Sequence, residues 1–91
     1  MLNIAVLVSG GGTNLQALLD SEARGENPNG KIKLVVASKP GVYALERAAN
    51  AGVEGVVVRR KDYEKSEDFD TALLNVLKSH DIDLVVLAGF L

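Results

Sequence analysis

Ser9-Gly10-Gly11-Gly12-Thr13-Asn14 is the stretch whose residue types and spacing could do chemistry. Three consecutive glycines let a chain turn sharply, with no side chain to fend off a ligand. The apolar run Ile4-Ala5-Val6-Leu7-Val8 precedes them, and a helical pattern starts at Leu15. The first N–H groups of a helix have no partner within it, and the helix dipole adds partial positive charge there. A strand, a glycine turn and a helix in that order suit an anion, most often phosphate. A plain tight connection with a capped helix is the competing reading. Thr13 and Gln16 have the spacing of a capping box, but a cap does not need three glycines. The P-loop pattern fails because Gly12 is followed by Thr13-Asn14 rather than Lys-Ser/Thr. The dinucleotide fingerprint fits at Gly10 and Gly12 but has Leu15 at its third glycine. Ser38-Lys39-Pro40-Gly41 stands where that fingerprint's acidic ribose reader belongs. The chemistry left is that of one phosphate monoester. No Lys or Arg occurs before Arg24, so backbone amides, the Thr13 hydroxyl and the Asn14 amide must hold it.

Four strands and three helices position this turn. The first strand, about Leu2 to Val8, is apolar on both alternations apart from Asn3, which marks a strand covered on both faces. Helix one carries a stripe of Leu15, Leu18 and Leu19 and ends near Arg24-Gly25, before a turn-rich loop from Glu26 to Gly30. Strand two spans about Lys31 to Ser38. Helix two, about Val42 to Ala51, puts Leu45, Ala48 and Ala49 on one face and stops at Gly52. Strand three, Gly55 to Val58, is short and runs into Arg59-Arg60-Lys61, as an edge strand does. That basic run could bind an anion, though solvated charge is the commoner explanation. Helix three has Ser66 as its expected N-cap, acids in its first turn and a buried stripe of Phe69, Leu73, Val76 and Leu77. Strand four is Leu84 to Ala88. The alternation implies right-handed βαβ units in a doubly wound, Rossmann-like parallel sheet of order 3-2-1-4, incomplete after the fourth strand. Gly12-Thr13-Asn14 and Gly89-Phe90 are then expected to meet across the crevice at the carboxyl edge.

Composition narrows the function classes. Ninety-one residues allow one small domain, residues 1–91, and 47% hydrophobic content predicts a real core. A net charge of −2 gives no reason to expect nucleic acid or an anionic membrane as a partner. The absence of cysteine rules out disulfides and thiolate metal sites. No stretch approaches membrane-spanning length and no signal-peptide pattern opens the chain, so a cytoplasmic location is expected. No catalytic set is present and no metal is expected: His80, the single histidine, sits at a predicted helix end, and Asp81 and Asp83 read as punctuation before a strand. Strand four is apolar enough to form a sticky edge if unpaired. The chain is therefore expected to be the first half of a larger domain, with the missing C-terminal half or a second chain against strand four.

The run Ile4 to Ala17, with Leu45-Glu46-Arg47-Ala48, Ala51-Gly52 and Asp83 to Phe90, resembles the N-terminal half of the glycinamide ribonucleotide formyltransferase family, folate-dependent transformylases of purine synthesis. Relatives that formylate methionyl-tRNA open differently after strand one. The resemblance implies that Gly12, Thr13 and Asn14 hold the phosphate of 5-phosphoribosylglycinamide. Gly89 would lie beside the substrate's amine, and Phe90 and Leu91 would begin the pocket for 10-formyltetrahydrofolate, the co-substrate. Many members carry a basic folate contact at the position of Ser66, where only the neighbouring Lys65 could serve. Gly11 replaces the asparagine of some members. The reaction implied is attack of the amine on the formyl carbon, assisted by an asparagine, a histidine and an aspartate that come later in the family's sequence. His80 does not match that histidine, so this chain is expected to hold part of the substrate site and no catalytic residue. Two further readings stay open: a non-catalytic sugar-phosphate-binding domain that recruits a partner through its fourth strand, and a divergent nucleotide-binding enzyme.

Overall fold

The computed structural model describes residues 1–26 and 29–89. Four parallel strands, β1 (Leu2–Val8), β2 (Gly30–Ala37), β3 (Glu54–Val57) and β4 (Leu84–Leu87), form one sheet of order β3-β2-β1-β4. Between them run α1 (Thr13–Ala23), α2 (Tyr43–Asn50), a 3-10 turn over Arg60–Asp62 and α3 (Ser66–Ser79). The order is the expected one. Strand and helix ends differ from expectation by a residue or so, because terminal backbone bonds rather than hydrophobicity decide them. Ser38 and Val58, for example, lie beyond their strands, yet their N–H groups still donate to Val8 and Ala37 carbonyls.

Two apolar layers enclose the sheet. On one face Ile4, Val6, Val8, Ile32, Val35 and Ala37 meet Leu15 and Leu19 of α1 and Ala44 and Ala48 of α2. On the other, Ala5, Leu7, Leu34, Val36 and Val58 meet Phe69, with Leu73, Val76 and Leu77 of α3 alongside. Helices on both sides explain why β1 from Ile4 onward and the second half of β2 are apolar at every position. In α2 the buried residues are Ala44 and Ala48, with Leu45 half-buried, whereas Ala49, expected on that face, is exposed. The register of β1 on β2 slips between Ile4 and Ala5, whose partners are Ile32 and Leu34. Lys33 is thereby skipped, which flips the parity of β2 so that Ile32 and Val35 share a face. The Ile32 N–H donates to Glu22 Oε1 at 2.7 Å, so a carboxylate on α1 takes up a donor at the irregularity.

The polar residue interrupting β1 has a structural task. The Asn3 N–H donates to Asp83 Oδ2 at 2.8 Å, the Asp83 N–H donates back to Asn3 O at 2.8 Å, and Asn3 Nδ2 donates to Asp81 O at 3.0 Å. Asp81 has φ 53, the left-handed region in which Asp and Asn are the commonest non-glycine residues. These bonds set the register with which β4 enters beside β1.

His80 closes the end of α3. Its Nδ1 lies 2.8 Å from Val76 O and its Nε2 2.7 Å from Glu54 Oε2, so both ring nitrogens face acceptors. The Val76 carbonyl first and the Glu54 carboxylate second raise the imidazole above its ordinary 6.5, against a smaller opposing effect of burial and of Lys33. A raised folded pKa means the stabilisation is complete below 6.5 and is lost as pH rises through the higher folded value. The urea midpoint is expected to fall between pH 6 and pH 8.5, and His80→Gln is expected to flatten that fall. An unchanged pH slope in the variant would show that other groups set it.

Leu84, Val85 and Leu87 on β4 are 45%, 40% and 68% exposed, unlike any residue from Ile4 to Val8 in the neighbouring β1. Among the described residues no helix is long and apolar enough to cross a membrane.

Candidate functional site

The glycine turn is built around Gly12. Its φ of 78° and ψ of 35° place it in the left-handed region, and its carbonyl accepts the first helical bond, from the Gln16 N–H at 2.8 Å. A β-carbon at Gly12 would stand 2.7 Å from Ala44 Cβ and 3.0 Å from Ala44 Cα, so this glycine lets α2 approach the turn. Gly10 and Gly11 differ, since β-carbons there would meet nothing within 4 Å. One glycine is thus required by the fold and two leave a space open.

This arrangement corrects the expected capping box. Gly12 is the N-cap, which makes Thr13 the first helical residue, one position too late for its hydroxyl to cap, and no side-chain cap bond forms. The Gln16 amide is engaged elsewhere: Nε2 donates to Asp20 Oδ1 at 2.9 Å, and Oε1 accepts from Arg47 Nη1 at 3.2 Å. Ser66 is likewise not an N-cap. Lys65 holds that position, its carbonyl accepting from the Asp68 and Phe69 N–H groups, and Ser66 already belongs to the first turn.

The mouth of α1 carries free donors. The N–H groups from Gly10 to Leu15 have no acceptor among the described residues, and Thr13 and Asn14 are exposed. The first turn holds no acidic side chain that would neutralise the dipole in advance. Free amides, two short polar side chains and an uncompensated helix terminus can receive a phosphate dianion without a metal or a lysine.

One cation does reach the turn, from a distance in sequence that the order of residues conceals. Arg47, half-buried on α2, donates from Nε to Gly11 O at 2.7 Å, and its guanidinium carbon lies 4.6 Å from the centroid of the Tyr43 ring. The guanidinium occupies the Gly11 carbonyl, the acceptor within the glycine turn, and adds positive charge there. The Leu-Glu-Arg-Ala pattern singled out this residue without indicating what it touches.

Across the crevice, Ser9 Oγ donates to the Gly89 carbonyl, and the Ala88 N–H donates to Leu7 O at 2.9 Å. The start of the turn after β1 therefore meets the turn after β4 at the carboxyl edge, through Ser9 rather than through Gly12-Thr13-Asn14, with Gly89 at φ 81. Phe90 and Leu91, expected at the start of the folate pocket, lie outside the described residues. Ser66 is bonded to neither turn; its hydroxyl accepts from Arg60 Nη2 at 2.8 Å. Arg60 thus brings a cation to the Ser66 position, with its guanidinium carbon 5.5 Å from the Phe69 ring centroid. Arg60 is six residues from Ser66 in sequence, and the 3-10 turn over Arg60–Asp62 brings it back to the start of α3.

Residues 2–91 match the family described as formyl transferase. The phosphoribosylglycinamide formyltransferase of Haemophilus influenzae is 41% identical over 91 residues, covering 100% of this chain and 42% of that protein. The human trifunctional purine biosynthetic protein adenosine-3 is 43% identical over 88 residues, which are 97% of this chain and 9% of that protein. In the crystal structure of glycinamide ribonucleotide transformylase 1 from Symbiobacterium toebii, the match has a TM-score of 0.93 at 42% identity and covers 100% of this chain and 42% of that one. The chain spans less than half the length of these bacterial relatives.

Proposed function

The chain belongs to the formyl transferase family, and from that premise we propose that it supplies the phosphate-binding part of an enzyme that moves a formyl group from 10-formyltetrahydrofolate to the amine of 5-phosphoribosylglycinamide, in cytoplasmic purine synthesis. The observation that carries this reading is the set of N–H groups from Gly10 to Leu15 that have no acceptor among the described residues, in an open glycine turn. Gly12, Thr13 and Asn14 grip the phosphate of the substrate: the amides of all three are open at one helix terminus, the exposed Thr13 hydroxyl and Asn14 amide add donors there, and Arg47 holds the turn in shape through Gly11. The Ser9 bond to Gly89 keeps the turn after β4 beside the cradle, where the ribosyl substrate's amine end would extend.

In the reaction the amine nitrogen bonds to the formyl carbon, the bond from that carbon to the folate nitrogen breaks, and the amine's proton ends on the folate nitrogen. The groups that stabilise the oxyanion and move the proton are assigned to the part of the enzyme beyond this chain, so the chain alone is inactive. Phe90 and Leu91, with Ser66 and its Arg60 partner, are assigned to the folate side. The covering of β4 belongs to the remainder of the domain or to a second chain. The exposed Leu84, Val85 and Leu87 support that, as does an apolar groove of about 100 Å³ beside them, lined in part by Ile4, Leu18 and Val86.

Titration with 5-phosphoribosylglycinamide tests the cradle. Thr13→Ala and Asn14→Ala, both exposed positions, are each expected to weaken binding about fivefold to tenfold with the melting temperature nearly unchanged. Unchanged affinity in both would remove the cradle from the site.

A further inference from the structure

A second feature of the carboxyl edge lies outside the cradle. A cavity of about 380 Å³ opens where β2 and β3 end, lined by Ser38, Lys39, Pro40, Arg59, Arg60 and Lys61. Four of those six residues are cations and none is an acid, in a chain whose net charge is −2. Little in the protein neutralises them. Lys39 and Lys61 are exposed with no ion-pair or hydrogen-bond partner among the described residues, and Arg59 lies 3.9 Å from the exposed Asp62 carboxylate. Arg60 uses one nitrogen on the uncharged Ser66 hydroxyl. A separate observation points the same way. Ser38 is 6% exposed, and its Oγ is buried with no partner among the described residues, although a buried hydroxyl is normally hydrogen-bonded.

We propose that this cavity is a second anion-binding site, distinct from the cradle, that takes a multiply charged phosphoryl group such as a diphosphate. Cations converging from two loops concentrate positive potential in a concave space, and paired guanidinium groups match phosphate oxygens by bidentate hydrogen bonding. A carboxylate carries too little charge to compensate four cations. The cavity stands at the carboxyl ends of parallel strands, where open α/β sheets bind ligands. The Ser38 N–H bond to Val8 O, at 3.0 Å, fixes the site beside the glycine turn but one strand over, and places it two strands from the open edge at β4. The site shares Arg60 with the side assigned to the folate, and its other cations, Lys39, Arg59 and Lys61, carry it independently of the formyltransferase reading.

The test is calorimetric titration of the protein at low ionic strength with inorganic pyrophosphate, a nucleoside diphosphate and citrate. Saturable binding of pyrophosphate is expected, weakened about tenfold or more in the Lys39→Gln/Arg59→Gln double variant and unaffected by Thr13→Ala. Because both substituted side chains are exposed, the melting temperature should stay within a few degrees. Ser38→Ala is expected to weaken binding while leaving the melting temperature equal or higher, since the lost hydroxyl has no partner in the fold. Tighter binding of the nucleoside diphosphate would identify a nucleotide as the source of the phosphoryl group, and equal binding a free anion. No saturable binding of either, equal affinity for citrate, or an unchanged affinity in the double variant would overturn the proposal. Loss of pyrophosphate binding in Thr13→Ala would also overturn it, by assigning the anion to the cradle; failure of the cradle itself would show only in the ribosyl phosphate titration.

Discussion

Gly12→Ala is expected to destabilise the protein by about 2–5 kcal/mol, a fall in melting temperature of roughly 10–30 °C, and to abolish ribosyl phosphate binding. Two independent penalties meet at this position. A side chain at φ 78 costs about 1–2 kcal/mol through its own backbone. The new methyl group would also stand 2.7 Å from Ala44 Cβ and 3.0 Å from Ala44 Cα. The second of these atoms is backbone on a packed helix, so relief requires α2 to move away from α1. That movement carries Arg47 off the Gly11 carbonyl and opens the cradle. Gly11→Ala is the control: its β-carbon meets nothing within 4 Å and its φ is not positive, so its melting temperature should change by only a few degrees. The steric share can be separated by a double-mutant cycle with Ala44→Gly. A favourable coupling of about 1 kcal/mol or more is expected, after allowing for the cost of glycine within α2. Equal melting temperatures for Gly12→Ala and Gly11→Ala would show that neither the left-handed turn nor the close helix approach matters.

Those two positions also show where the sequence stops being informative. The layering was legible because apolar residues on both alternations of Ile4–Val8 and Leu34–Ala37 need helices on both faces, and right-handed crossovers about a central first strand then give the order. The location proposed for the site rests on the order of strand, glycines and helix, which the structure shares. The register of the cap was not legible. Thr13 and Gln16 have the right spacing for a capping box, but a glycine free to adopt the left-handed region starts the helix one residue earlier and leaves Thr13 to face outward. Nor does any local pattern mark Asn3, Glu22 or Arg47 as partners of Asp83, the Ile32 amide and the Gly11 carbonyl. Each of those contacts joins elements that only the folded sheet brings together. Likewise Ser38-Lys39 and Arg59-Arg60-Lys61 read as separate loops until the β2–β3 pairing places them around one cavity.

Arg47→Ala is expected to weaken ribosyl phosphate binding by about tenfold to a hundredfold, more than loss of either Thr13 or Asn14, although Arg47 bonds to the turn rather than being assigned to the phosphate. A hydrogen bond to a charged donor contributes about 1.5–3 kcal/mol, and the substitution removes two such bonds, to Gly11 O and Gln16 Oε1. It also removes a guanidinium stacked on Tyr43, where such contacts add about 0.5–1 kcal/mol at an exposed ring. The freed Gly11 carbonyl can then swing toward the anion, turning an attractive site partly repulsive. Lysine should not rescue the variant. A single ammonium cannot address Gly11 O and Gln16 Oε1 while also sitting over the Tyr43 ring, because those three contacts need the planar fork of arginine. The measurement is calorimetric titration of Arg47→Ala and Arg47→Lys alongside wild type, with melting temperatures to check folding. If Arg47→Lys retains wild-type affinity, only the charge matters. If Arg47→Ala binds as wild type does, the turn keeps its shape unaided, and the positioning role assigned to Arg47 fails.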